Sequence, residues 1–161
     1  MLSKILSKKD CEKCRLCCSF DSYDLWETPI ISKHLATKIL QEFVPQQKFV
    51  HKGEDFIFKM EKEENEDLYF CPMLDKSKGC ILGDDKPFDC EIWPFRVMNY
   101  SGRLVLTLSP VCPVLYKKPV DEIMEVAKEI SKPIFRYAQE NSGVVKKYID
   151  GYPIFATEDD F

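Results

Sequence analysis

Cys11-Glu12-Lys13-Cys14-Arg15-Leu16-Cys17-Cys18 places four cysteines within eight residues, in the spacing CxxCxxCC. Two residues between cysteines let successive thiolates curl around one ion, and a third cysteine at the same interval extends the grip. Neighbours in sequence do not readily point the same way, so one of Cys17 and Cys18 is expected to reach a second site. Zinc, held tetrahedrally by thiolates at about 2.3 Å, suits such spacing. The remaining chain then reads as a frame that brings distant cysteines to this octapeptide.

Those distant cysteines are Cys71, Cys80, Cys90 and Cys112, which make eight in all with Cys11, Cys14, Cys17 and Cys18. Eight is two sets of four. The segment Met1-Leu-Ser-Lys-Ile-Leu-Ser has too short an apolar run for a signal peptide or a membrane span. A cytoplasmic protein without a membrane segment is expected, and in that compartment clustered cysteines serve metal rather than disulfides. Iron–sulfur clusters are equally suited to the spacing, because the bacterial ferredoxin motif begins CxxCxxC and its fourth cysteine is followed by proline, as Cys112 is by Pro113. An iron–sulfur cluster is therefore favoured over zinc. Lys13 and Arg15, between the cysteines, supply positive charge that stabilises thiolate.

Composition bounds the partners. The chain has 161 residues and a net charge of −4. Nineteen of its 23 basic residues are lysine, so no arginine-rich stripe suggests a nucleic-acid surface. The length and the absence of a long linker indicate one domain over residues 1–161, with a cysteine-bearing core at about 11–113 and a helical part at about 119–150.

The pattern of elements predicts an α+β fold: short β-hairpins, flanking helices and metal-bound cysteine loops. Ile31, Leu35, Ile39 and Phe43 recur at helical spacing over residues 30–43. Residues 47–61 form a hairpin around Gly53, and Leu68-Tyr69-Phe70 is a short strand that delivers Cys71. Glu61 to Asp67 is a charged, solvated loop. Gly79 permits a turn before Cys80. Residues 95–108 form the clearest hairpin, turning at Ser101-Gly102, with Leu104, Leu106 and Leu108 on one face. Ile123, Val126, Ala127 and Ile130 mark a helix over 119–140 with Asp121 as its N-cap and a kink or restart at Pro133. Val144 to Asp150 adds a short helix, and Thr157 to Phe161 is a loose acidic tail.

The whole cysteine pattern resembles the YkgJ-type cysteine-cluster proteins, the CxxCxxCC family, whose description is that of a zinc- or iron-chelating domain. The likeness runs from residue 11 to residue 113 through Cys71-Pro-Met-Leu-Asp75, Gly79-Cys80-Ile-Leu, Lys86-Pro87-x-x-Cys90-x-x-Trp-Pro-Phe95 and Cys112-Pro113. The resemblance implies that all eight cysteines are metal ligands. Lys86, Glu91 and Gly83 depart from it, since the family carries arginine, arginine and tyrosine there. A bidentate anion-binding role for those arginines would not transfer to lysine. Some family members are described as iron–sulfur oxidoreductases, and one branch is associated with flagellin lysine methylation.

Three functions follow as expectations. The first is a metal protein holding an iron–sulfur cluster, or iron or zinc, through eight cysteines and acting in redox or electron transfer; an iron–sulfur oxidoreductase would be its enzymatic form. The second is a structural zinc domain that binds a protein partner. The third is an accessory to a protein-modifying enzyme, in which Asp75, Asp84, Asp85 and Asp89 do acid–base work instead of capping turns. No GxG pair supports a nucleotide-binding methyltransferase. His34 and His51 stand outside any motif and read as surface residues. Trp93 and Phe95 read as core aromatics that could also shield a metal. By spacing, one site takes Cys11, Cys14 and Cys17 with a distant cysteine, and Cys18 joins the rest.

Overall fold

The computed structural model describes residues 2–22 and 26–161. Helices and short antiparallel hairpins give the α+β class expected from the sequence. The chain divides into two compact units, residues 12–91 and residues 1–11 with 92–161. Both boundaries, Cys11/Glu12 and Glu91/Ile92, fall in sequence with no linker composition. The first lies inside α1 (Lys8–Cys14).

The unit of residues 12–91 contains little regular structure. After α1 comes a 3₁₀ turn over Leu16–Cys18, then β1 (Ser19–Phe20). α2 (Lys33–Lys38) starts at Ser32, whose hydroxyl accepts the Leu35 amide at 3.2 Å. The helix expected over 30–43 is thus shorter and changes pitch. Ile39–Phe43 forms a wider π turn closed by Val44 N–H to the Ile39 carbonyl at 2.8 Å. Ile31, read as the first residue of the helical stripe, instead bridges Phe56 in extended form. The hairpin of β2 (Phe49–Lys52) and β3 (Asp55–Phe58) matches the expectation. β4 (Tyr69–Phe70) pairs back to β1, and β5 (Leu74–Asp75) pairs with β6 (Gly79–Cys80). α3 (Phe88–Glu91) closes the unit. Its core is Phe20, Ile31, Ala36, Ile39, Phe58, Met60, Met73 and Leu82, with Cys71 and Cys80 packed against it.

The other unit has a four-stranded sheet in the order β10–β8–β7–β9. β7 (Phe95–Tyr100) and β8 (Arg103–Leu108) form the expected hairpin. Ser101 and Gly102 both have positive φ, 53° and 88°, the backbone that a two-residue turn between twisted strands requires. Leu104, Leu106 and Leu108 alternate onto one face of β8 as expected, and because β8 is a central strand, Val105 and Thr107 on the opposite face are buried as completely as Leu106.

α4 (Val120–Glu140) runs unbroken for 21 residues and packs on β7, β8 and β10 (Ile154–Thr157). Two expectations change here. Pro119, not Asp121, stands at the N-cap position; Asp121 and Glu122 lie in the first turn, where the helix dipole favours them. Pro133 does not interrupt the helix. It is exposed, as is Glu129, so the carbonyl deprived of its helical donor is left to water.

The segment read as a short terminal helix is β9 (Lys146–Lys147), parallel to β7 at Met98 and Asn99. The acidic tail is anchored. Glu158 accepts the Leu104 amide at 2.8 Å, Asp159 pairs with Arg103 at 2.8 Å, and Thr157 and Asp160 cap each other. The N-terminal segment (residue 1 lies outside the described residues) buries Leu2 and Ile5. No described helix is long and apolar enough to cross a membrane.

Candidate metal centre

Six of the eight cysteines, Cys14, Cys17, Cys18, Cys71, Cys80 and Cys90, belong to the unit of residues 12–91. Cys11 and Cys112 belong to the other. All eight are present as thiols. Cys11 is half-buried in α1 and Cys14 is exposed at the end of that helix. Cys90 is half-buried in α3, and Cys112 is buried between β8 and a 3₁₀ turn at Leu115–Lys117.

Four thiols gather around the shortest strands. The β1–β4 ladder pairs Ser19 with Phe70, and its next rung is the Cys71 amide donating to the Cys18 carbonyl at 2.8 Å. The Leu74 amide donates to the Cys71 carbonyl at 3.0 Å, and Leu74 pairs with Cys80. Cys17 and Cys18 lie side by side with their sulfurs 3.9 Å apart. That differs from the expectation that adjacent cysteines diverge.

Electrostatics joins three of these thiols. Burial pushes the Cys71 thiol up to about 12; a backbone hydrogen bond at Met73 acts against this, and the neighbouring Cys80 and Cys17 add to the rise. In the metal-free state Cys71 therefore keeps its proton. A divalent cation would reverse the balance, because its charge outweighs the mutual repulsion of thiolates. The donor set is soft sulfur, which suits zinc and iron. Among the described residues, no three His, Cys, Asp or Glu side chains already meet in ligating geometry.

Arg15 braces this region in a way its charge alone does not suggest. Its Nε donates to the Glu12 carbonyl at 3.0 Å, and its Nη2 donates to the Lys76 carbonyl in the β5–β6 turn. Arg15 itself has φ 54°. Gly79 in the same turn has φ +82°, and a Cβ there would stand 3.1 Å from Glu12 Cγ. The Arg15 side chain thus ties the cysteine octapeptide to the Cys71–Cys80 hairpin, and Glu12 leaves little room for a side chain at Gly79. The interleaving of Arg15 with the cysteines was the sequence signal, but only the fold assigns it carbonyl partners.

The aspartates sort by their contacts. Asp75 accepts from the Ser77 amide, the Ser77 hydroxyl and the Lys78 amide at 2.7–2.8 Å, and these bonds, led by the Ser77 hydroxyl, lower its pKa to about 2. It caps a turn. Asp85 pairs with Lys38 at 2.7 Å, and Asp84 is exposed. Asp89 is buried and accepts the Ile30 amide at 2.9 Å. His34 is exposed on α2, and exposed His51 lies against the Phe56 ring, 4.7 Å between centroids. Phe95 is a core residue edge-on to Phe155, and half-buried Trp93 carries the Arg96 guanidinium over its ring at 4.8 Å. No family model, curated protein or solved structure matches this chain.

Proposed function

We propose that this is a metal-binding protein that holds its metal through cysteine thiolates, with a redox or electron-transfer role when that metal is iron. One observation carries the proposal: a backbone bond joins Cys18 to Cys71, more than fifty residues away, with Cys17 beside Cys18 by sulfur and Cys80 in the hairpin that follows Cys71. Inert buried thiols have no reason to gather at the ends of two-residue strands. The resemblance to the CxxCxxCC family supports the same reading and extends it to all eight cysteines. Bound iron would supply one-electron chemistry. The chain's contribution is to deliver thiolates, to shield them against the core of Phe20, Met73 and Leu82, and to brace them through Arg15.

A second reading is favoured by one distance. Sulfurs 3.9 Å apart match the edge of a tetrahedral thiolate site, about 3.8 Å for bonds of about 2.3 Å. Closed zinc sites of this kind staple domains and perform no redox chemistry. The thin secondary structure of residues 12–91 would make such a staple important for stability, and the domain would then serve a protein partner.

The test is an absorption spectrum of protein purified without oxygen, with iron, zinc and sulfide quantified on the same sample. Brown protein with matched iron and sulfide supports the redox role. Colourless protein with stoichiometric zinc that unfolds with chelator supports the staple. Protein that contains neither metal and takes up neither refutes both.

A further inference from the structure

We infer that Cys17, Cys18, Cys71 and Cys80 make up a single four-thiolate site, in which Cys17 and Cys18 bind the same ion. The inference rests on the metal-binding function proposed above and goes beyond it. Spacing in the sequence points instead to Cys11, Cys14 and Cys17 as companions, with Cys18 assigned elsewhere.

The backbone argues for the new partition. Cys18 and Cys71 are cross-strand neighbours, held by the Cys71 N–H to Cys18 carbonyl bond at 2.8 Å. Such neighbours have Cα atoms about 4.5–5.5 Å apart, within reach of a common ligand. Cys71 and Cys80 flank Leu74, one through the 3.0 Å amide bond and the other through strand pairing. The Ile81 amide donates to the Met73 carbonyl at 2.9 Å and closes the same hairpin. These bonds fix the backbone of Cys18, Cys71 and Cys80 whether or not metal is present. Cys17 enters through its sulfur, 3.9 Å from that of Cys18. Side-chain rotation on this fixed frame then completes the set. The Arg15 bond to the Lys76 carbonyl ties the two cysteine segments together.

The shared ion also constrains its kind. A four-iron cluster offers each of its four cysteines a separate iron. A pair of thiolates on one ion fits a single zinc, a single iron, or a two-iron cluster whose four cysteines divide two to an iron.

Cadmium, which zinc-type thiolate sites accept, provides the probe. Loaded into the full-length reduced protein, it should show scalar coupling to the β-protons of its cysteine ligands in NMR spectra. One cadmium resonance coupled to Cys17, Cys18, Cys71 and Cys80 is expected. Coupling of Cys17 and Cys18 to different cadmium ions overturns the inference, as does a ligand set that omits any of the four. No substitution is needed, so a misfolded variant cannot obscure the answer. Metal content checks it independently. Loaded with cadmium, Cys71→Ser, Cys80→Ser and the double variant should each lose the same single ion, whereas a double variant that loses one more ion than either single variant refutes the partition. Full-length protein that binds no cadmium, zinc or iron refutes the underlying metal reading; bound metal with other couplings refutes the partition alone.

Discussion

Asp89→Ala should loosen the attachment of the Cys90 helix to its unit, and the structure indicates by how much. Asp89 is 2% exposed, and its Oδ2 accepts the Ile30 amide at 2.9 Å. Ile30 is itself only 8% exposed, so water does not easily replace the carboxylate. The next residue, Ile31, is fully buried and exchanges amide bonds with Phe56 at 2.7 and 2.9 Å. One carboxylate therefore ties α3 to the β2–β3 hairpin through two consecutive residues. A hydrogen bond to a charged acceptor contributes about 1.5–3 kcal/mol, and an unsatisfied buried donor costs about 1–3 kcal/mol. These describe the same loss from two sides, so they are not added, and about 2–3 kcal/mol is expected. At 1.4 kcal/mol per factor of ten, hydrogen-exchange protection of the Ile30 amide should fall roughly 30- to 150-fold. Asp89→Asn keeps an acceptor oxygen and should recover part of the loss. Protection of Ile30 within about threefold of wild type in Asp89→Ala would show that the carboxylate does not carry this contact.

Gly79→Ala forces a side chain onto φ +82° and against Glu12 Cγ at 3.1 Å, so a loss of about 1–2 kcal/mol is expected in urea denaturation. Gly102→Ala, at φ +88° with open space around it, isolates the backbone part; a smaller loss at Gly79 than at Gly102 would mean that the Glu12 contact adds nothing. Asp75 should titrate near 2 by NMR, below its unfolded value of 3.8. Because the folded pKa is the lower one, its stabilising contribution is complete above 3.8 and disappears as pH falls towards 2; an ordinary carboxylate titration would contradict the turn-capping role. Met98→Ala, at a fully buried position in β7, should cost about 3 kcal/mol and lower Tm by about 6–12 °C, which calorimetry can check.

Local patterns were legible wherever neighbours in sequence decide the structure. The Ser101-Gly102 hairpin, the β2–β3 hairpin around Gly53 and the apolar stripe of α4 depend on turn conformations and side-chain periods, which a window of ten residues contains. The eight cysteines and their spacing were equally visible, because spacing is a property of the chain itself.

Where partners lie far apart, the sequence was silent or misleading. β9 looked like a helix because nothing near Lys146-Lys147 announces a parallel strand; its pairing is with Met98 and Asn99. The acidic tail looked loose because Arg103 and the Leu104 amide, which receive it, lie more than fifty residues away. At the candidate metal centre, spacing sent Cys18 to the distant cysteines without saying which, and the β1–β4 ladder puts it beside Cys71. The chain alone determined that this protein carries clustered thiols on an α+β frame. Which thiols face each other was decided by tertiary structure, because backbone pairing between distant two-residue strands sets that geometry and leaves no periodic trace in the sequence.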